Sequence, residues 1–183
     1  MKNRLEAFYL QHMRNKLIYK NLYLCHSSIP KIESVLINVT TKEAIQNKKN
    51  ASKALLLTEL ISSQKSVPIK AKKSISQWKL RKNSLIGSKV TLRKTNMYEF
   101  LDRFAHTVLT KDKEFTGLST TISNKDINCS SYSLGIKDFF DFPELESQYE
   151  KFKISSGLNI IINSNAKTKK EVIQLLSIFH FPF

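Results

Sequence analysis

The stretch "SISQWKLRKNSLIGSKVTLRK", residues Ser74–Lys94, carries six Lys or Arg side chains, one tryptophan and no acidic residue. The wider window from Leu60 to Tyr98 contains ten Lys or Arg and still no Asp or Glu. Side chains of one charge repel each other when they are crowded into one segment. The stretch therefore predicts a surface that meets an anionic partner.

Two runs inside this stretch alternate apolar and cationic residues. The first run is Trp78, Lys79, Leu80 and Arg81, and the second is Lys89, Val90, Thr91, Leu92 and Arg93. A period of two places successive side chains on opposite faces of a sheet. The runs therefore predict a β-hairpin with an apolar inner face, a cationic outer face and a projecting loop at Lys82–Ile86. This pattern favours a place in the core for Trp78 over a role as a base-stacking surface.

The flanking sequence predicts helices that alternate with strands. Helices are predicted at residues 2–24, 42–62 and 96–108 and after a cap at Thr168, and strands in "KIESVLINV", "YSLGI" and "GLNIIIN". The predicted buried side of the second helix includes Leu56 and Leu60, Pro68 is expected to mark a turn, and Asn96 is expected to cap the third helix. This order predicts one α+β domain, residues 1–183, with a mainly antiparallel β-sheet and helices packed on one side.

Composition points to a polyanionic partner. The chain of 183 residues has a formal net charge of +15, which favours nucleic acid first and an anionic membrane surface second. No apolar run approaches the roughly 20 residues that span a bilayer. Of the 30 basic residues, 25 are Lys and 5 are Arg, so contacts with the nucleic-acid backbone are expected to outweigh base readout. This bias also indicates an AT-rich coding sequence, as in an organelle or a reduced genome.

Candidate catalytic and metal-binding groups are sparse in the sequence. The four histidines are scattered without ligand spacing, and four isolated glycines build no phosphate-binding loop. Glu144 and Glu146 lie in the acidic run "DFFDFPELESQYE", which favours a solvated or partner-facing edge over a general acid/base pair. The sequence therefore predicts no enzymatic activity, no metal and no cofactor.

The motifs along the chain resemble those of the large-subunit ribosomal protein L5 family. They are "IPKIESVLINV", "KAKKSISQWKLR", "IGSKVTLR" followed by "MYEFLDR", "YSLGI", "FPE" and "NAKTKKEVIQLLSIFHFPF". They occur in the family's order over nearly the whole chain. "LEAFY" is similar to the family's first helix, so residues 1–24 are expected to belong to the fold rather than to a targeting peptide.

The resemblance implies an α+β structural protein of the central protuberance that binds large-subunit rRNA, with 5S rRNA where it is present, beside neighbouring ribosomal proteins. It also implies an approach to P-site tRNA by the loop Lys82, Asn83, Ser84, Leu85 and Ile86. The RNA-binding positions carried over are Asn38, Lys65, Lys70, Lys72, Lys73, Ser74, Gln77, Lys79, Arg81, Lys89, Thr91 and Arg93. Together with the composition, the resemblance predicts a mitochondrial ribosome in the matrix and an organelle-encoded chain.

Departures from the family pattern fall where RNA contacts are expected. A glycine-containing turn after Asn38 is replaced by "VTTKEA", where Lys42 is expected to substitute by charge, and Lys94 stands where the family has a glycine. Where a mitochondrial ribosome lacks 5S rRNA, large-subunit rRNA or neighbouring proteins are the expected partners. Two alternatives stay open: a free-standing basic RNA- or DNA-binding regulator, and an RNA-modifying enzyme.

Overall fold

The computed structural model describes residues 3–23, 25–41, 44, 48–111, 117–118, 130–137, 139–148, 150–152 and 157–182. Its strands are β1 (Ile32–Thr40), β2 (Val67–Lys70), β3 (Leu85–Leu92), β4 (Ser131–Ile136) and β5 (Leu158–Ser164). They form one five-stranded antiparallel sheet in the order β2-β3-β1-β5-β4. The predicted α+β fold with an antiparallel sheet is confirmed, as are the strands predicted from "KIESVLINV", "YSLGI" and "GLNIIIN".

Seven α-helices lie in the described ranges. They are α1 (Arg4–Phe8), α2 (Arg14–Asn21), α3 (Lys48–Ser62), α4 (Lys94–Arg103), α5 (Leu109–Lys111), α6 (Pro143–Glu146) and α7 (Lys169–Ile178). Single π-helical turns, Tyr9–Met13 and Phe104–Val108, connect α1 to α2 and α4 to α5. None of the helices in the described ranges combines the length and the hydropathy that a bilayer crossing requires.

The chain folds into two compact units. The first comprises Met1–Val35, Arg93–Tyr132 and Ile161–Phe183, and the second comprises Leu36–Leu92 and Ser133–Ile160. Both units are therefore assembled from segments that lie far apart in the sequence.

The first unit has an aromatic core. The ring of Tyr9 stacks on that of Phe179 at a centroid distance of 5.6 Å, and the Tyr9 hydroxyl donates a hydrogen bond of 2.7 Å to the Pro30 carbonyl. Burial, followed by the proximity of Tyr98, raises the pKa of Tyr9 to about 12. The N-terminal helices are therefore anchored to the segment that leads into β1.

The predicted cap of the last helix is confirmed. Thr168 Oγ1 accepts a hydrogen bond of 3.4 Å from the Glu171 backbone N–H, and Glu171 Oε2 accepts one of 3.3 Å from the Thr168 backbone N–H. This capping box satisfies two backbone donors that the first turn of a helix would otherwise leave unpaired. By contrast, the residue that precedes α4 is Arg93, which makes no side-chain capping bond, so the expected cap at Asn96 is wrong.

In the second unit, α3 packs on β3. Ser88 Oγ donates a hydrogen bond of 3.0 Å to the Ala54 carbonyl, and Leu57 is fully buried on the same helix. The prediction that Leu56 and Leu60 are buried is wrong, because their side chains are 52% and 37% exposed. Adjacent helical positions lie about 100° apart, so the side chains of Leu56 and Leu57 point in different directions, and the burial of Leu57 does not bury Leu56.

The hairpin partner of β3 is β2, and the predicted strand through Trp78–Arg81 is wrong. The two strands are antiparallel, with Val67 opposite Lys89 and Ile69 opposite Gly87. Pro68 lies inside β2 rather than at a turn. A proline lacks the N–H that a central strand must donate, but β2 is an edge strand and tolerates it.

Lys94, at the first position of α4, has a left-handed backbone with φ 54°. A non-glycine residue in this conformation costs about 1–2 kcal/mol, because its Cβ crowds the backbone. We therefore expect Lys94→Gly to raise the free energy of unfolding by about 1 kcal/mol in urea denaturation followed by far-UV circular dichroism. Lys94→Ala removes the same charge but keeps the Cβ, and it should give no comparable gain. Equal gains in both variants would attribute the effect to charge.

Candidate nucleic-acid interface

Residues 71–84, here called the basic loop, connect β2 to β3 as a hairpin that is closed by backbone hydrogen bonds at two positions. At its base, Ala71 N–H donates to the Ser84 carbonyl over 2.9 Å, and Asn83 N–H donates to the Ala71 carbonyl over 3.0 Å. Nearer the tip, Ile75 and Leu80 exchange two backbone hydrogen bonds of 3.0 Å. These bonds hold the loop as a defined hairpin that extends beyond the last paired residues of β2 and β3, Lys70 and Leu85.

All the cations of the basic loop are exposed. They are Lys72, Lys73, Lys79, Arg81 and Lys82. None of them makes an ion pair with a residue that the structure describes. The positive charges of the loop are thus exposed on a defined backbone and are not neutralised by the described residues. Such a surface attracts a polyanion.

The tip of the basic loop is a single 3₁₀ turn, Ser76–Trp78. Lys79 N–H donates a hydrogen bond of 3.0 Å to the Ser76 carbonyl, and Lys79 itself is left-handed with φ 53°. The Trp78 side chain is 64% exposed, so the favoured place in the core is wrong. Gln77, also a predicted RNA-binding residue, is exposed beside it.

The predicted projecting loop Lys82–Ile86 is not a separate loop. Lys82, Asn83 and Ser84 form the returning arm of the basic loop, where Lys82 N–H donates to Ser74 Oγ over 3.0 Å. Leu85 and Ile86 already belong to β3. The prediction placed the tip several residues too late because it assigned Trp78–Arg81 to a strand.

The predicted site residues next to the basic loop lie in the strands and at their ends. Lys65 precedes β2 and Lys70 ends it, and both are exposed. On β3, Lys89 is exposed and Thr91 is half-buried. Since Ser88 contacts α3 and side chains alternate along a strand, Lys89 and Thr91 lie on the sheet face opposite α3. Arg93 is exposed directly after β3 in sequence and belongs to the first unit.

Asn38 lies in β1 between two fully buried residues, Ile37 and Val39. Its Oδ1 atom is inaccessible to solvent and accepts no hydrogen bond from any part of the chain that the structure describes. A buried acceptor without a donor is uncommon in folded proteins. Lys42, expected to act beside Asn38, lies outside the described residues.

Three of the four histidines come together in the fold, which their spacing in sequence did not indicate. His12 and His180 each lie 5.8 Å from the ring of Phe8, and His106 lies 6.1 Å from His180. Arg4 donates a hydrogen bond of 2.7 Å to Asp102 Oδ1, and His106 Nε2 lies 3.4 Å from the same oxygen. Among the described residues, no group of three His, Cys, Asp or Glu is placed to hold a metal ion. The Arg4–Asp102 pair serves to attach α1 to α4.

The hairpin of exposed cations with an exposed indole ring at its tip defines the chain as a basic α+β protein with a surface suited to nucleic acid. Comparisons with known proteins identify its family. The family model "ribosomal L5P family C-terminus" matches residues 85–183, and the model "Ribosomal protein L5" matches residues 27–81. The chain belongs to the ribosomal protein L5 family.

Several relatives align with almost the whole chain. The large ribosomal subunit protein uL5m of Reclinomonas americana is 45% identical over 98% of this chain and 97% of its own length. The uL5 proteins of Latilactobacillus sakei and of Clostridium perfringens strain SM101 are 37% and 39% identical over all of this chain. These matches cover 99% and 97% of the relatives' own lengths. The family consists of structural ribosomal proteins, which agrees with the expectation that the chain is not an enzyme.

Proposed function

We propose that this protein is a structural constituent of the large ribosomal subunit that binds rRNA in the central protuberance. The observation that carries the proposal is the basic loop, whose five exposed cations make no ion pair with the described residues. Lysine-rich surfaces of this kind bind the phosphate backbone and depend little on base sequence. Membership of the ribosomal protein L5 family supports large-subunit rRNA as the partner of this surface.

We propose further that Asn38, with the cations of the basic loop and the outward face of β3, contacts 5S rRNA where the ribosome contains it. Asn38 is half-buried in β1, the strand next to β3 in the sheet, so part of the residue is open to a partner. Lys89 and Thr91 lie on the sheet face away from α3, so their side chains are left accessible to RNA.

The P-site tRNA contact is proposed for the basic loop as a whole, with Lys82, Asn83 and Ser84 on its returning arm. The reason is geometric, since the tip at Ser76–Trp78 is the part of this hairpin farthest along the chain from the paired strands. A fixed, cationic hairpin can meet a mobile RNA ligand without first losing conformational freedom.

The proposed setting is a mitochondrial ribosome. The identity of 45% to the uL5m protein of Reclinomonas americana supports this location. We propose in addition that the chain is organelle-encoded, which fits the excess of 25 Lys over 5 Arg. The acidic segment around α6, in which Glu146 is exposed, is proposed to face a basic neighbouring ribosomal protein rather than RNA.

We also propose that residues 1–183 act as one domain that includes the N-terminal helix. The two family models match adjacent segments of the chain, and the strands β1, β4 and β5 each contribute residues to both compact units.

Ribosome sedimentation tests the proposed function. A tagged full-length chain expressed in mitochondria should sediment with the large subunit, and large-subunit rRNA should co-purify with it after high-salt dissociation of loosely bound proteins. A free-standing regulator would remain at the top of the gradient. Identification of the co-purified RNA shows at the same time whether 5S rRNA is among the partners.

A further inference from the structure

A cavity of about 470 Å³ lies in the first compact unit, and no role assigned so far uses it. Part of its lining is apolar and consists of Tyr9, Leu10 and Ile29. Tyr9 and Ile29 are buried, whereas the side chain of Leu10 is 38% exposed. A cavity of this size with an apolar wall fits a small ligand or the end of a larger one.

The rest of the lining is cationic or polar and consists of Arg14, His26, Ser27 and Lys31. No Asp or Glu is found among the described residues that line the cavity. Neither Arg14 nor Lys31 makes an ion pair with any residue that the structure describes. Charges of one sign inside a concave, partly apolar site attract a counter-ion more strongly than they would on a flat surface. The cavity is therefore suited to an anion.

The polar groups of the cavity are hydrogen-bond donors. Arg14 is half-buried and donates a hydrogen bond to Nδ1 of His26. Because a guanidinium can only donate, this bond leaves the proton of the neutral His26 ring on Nε2, where it is available to a ligand. The hydroxyl of Ser27 is a further donor. A guanidinium with such donors beside it matches the several acceptor oxygens of a phosphate.

The backbone that carries these groups is fixed by hydrogen bonds. Lys31 N–H donates to Asn165 Oδ1 over 2.7 Å, and Asn165 N–H donates to the Lys31 carbonyl over 3.2 Å. His26 and Ser27 lie in a single 3₁₀ turn, in which Ser28 N–H donates to the Cys25 carbonyl over 3.0 Å. A preformed pocket loses little conformational freedom when a ligand binds.

We propose that this pocket binds a phosphomonoester, the terminal phosphate of a free nucleotide or of an RNA 5′ end. A phosphomonoester carries about 1.5 to 2 negative charges at neutral pH, which the two permanent cations Arg14 and Lys31 balance. A phosphodiester of the RNA backbone carries only one charge and is attached to the chain on both sides. The apolar wall suits the ribose and base that follow a terminal phosphate. The proposal goes beyond the proposed function, because none of the pocket residues belongs to the basic loop.

The experiment compares two short single-stranded RNA oligonucleotides of one sequence, one with a 5′-phosphate and one with a 5′-hydroxyl, both labelled at the 3′ end. Both strands offer the same backbone to the basic loop, so a difference in affinity reports on the 5′ phosphate. Anisotropy titration of the full-length chain should show about 10-fold tighter binding of the phosphorylated strand. Titration calorimetry with AMP and with adenosine tests the free nucleotide as the source of the same group.

Arg14→Gln should reduce the preference for the 5′-phosphate to less than about 2-fold. Lys16→Gln is the matched control, because Lys16 is exposed on the same helix, about 200° around its axis from Arg14, and the variant loses the same charge. This control should keep the preference. Lys31→Gln changes an exposed side chain and leaves the backbone bonds to Asn165 in place. It should also lower the preference while the melting temperature stays within about 3 °C of the parent chain, so the test holds even if Arg14→Gln does not fold.

The outcomes separate this inference from the proposed function. A preference for the 5′-phosphate that depends on Arg14 supports the pocket as a site for an RNA end, and binding of AMP but not adenosine supports it as a nucleotide site. If both RNA strands bind equally and AMP does not bind, the pocket proposal is overturned while the proposed function stands. If neither strand binds but AMP binds in an Arg14-dependent manner, the pocket stands and the proposed function falls. If a phosphoserine peptide binds through Arg14 whereas AMP and the 5′-phosphate do not, the ligand is a protein and the nucleotide assignment is wrong.

Discussion

Replacing Gly87 by Ala is expected to lower the free energy of unfolding by about 3 kcal/mol, at the upper end of overpacking costs. A Cβ atom at this position in β3 would lie 2.1 Å from the Val39 carbonyl oxygen and 3.0 Å from Thr40 Cα. Both atoms are backbone of the neighbouring strand, so no side-chain rotation relieves the clash. Urea denaturation followed by far-UV circular dichroism measures the loss, since the exposed Trp78 reports poorly on folding.

Gly135→Ala is the matched control within the same compact unit. Its Cβ would first meet the side-chain Oδ1 atom of Asn159, at 3.4 Å, a distance that a small side-chain movement accommodates. We expect this variant to lose less than about 1 kcal/mol. If both variants lose a similar free energy of unfolding, the close approach of β1 to β3 does not explain the need for glycine at position 87.

Reversing Lys79, Arg81 and Lys89 together to Glu is expected to weaken RNA binding at about 150 mM salt by at least about 100-fold. The slope of log affinity against log salt should also fall by about 3, one for each lost phosphate contact. All three side chains are exposed, so the far-UV spectrum and the melting temperature should change little. Filter binding across a salt series measures both affinity and slope.

A second triple reversal controls for net charge. Lys16, Lys20 and Lys170 are exposed in the other compact unit, and their replacement by Glu lowers the formal charge from +15 by two per residue, to +9, as the first variant does. The control should retain most of the affinity and the slope. If both variants lose binding equally, the attraction is a property of total charge and the basic loop is not a site.

The strands that were predicted correctly are those in which apolar and polar residues alternate over many positions because one face is buried. In β1 and β5, alternation continues over several positions, and one face meets the core at Ile37 and Val39. The cap of α7 followed from the spacing of Thr168 and Glu171, a local signal that needs no tertiary context. Such signals fix an element before its neighbours are known.

The error at Trp78 has a definite physical cause. The four alternating residues Trp78–Arg81 suggest a strand. In the structure, hydrogen bonds within the basic loop stabilise this backbone as a tight turn instead. An alternating pattern of only four residues does not distinguish a strand from such a turn. Pro68 strengthened the error, because its acceptability depends on β2 being an edge strand, which is a property of the whole sheet. The burial of the Asn38 Oδ1 atom and the clustering of His12, His106 and His180 likewise exist only after folding.

Pro68 lowers the tendency of the edge strand β2 to pair with a second copy of the chain. β2 is an edge strand of the sheet, and an open strand edge is a template on which a second copy adds and aggregation begins. The proline has no N–H to donate to an incoming strand, and Lys65, just before β2, and Lys70, at its end, repel a second copy because it carries the same charges. A single proline in the edge strand thus opposes aggregation between copies of this chain.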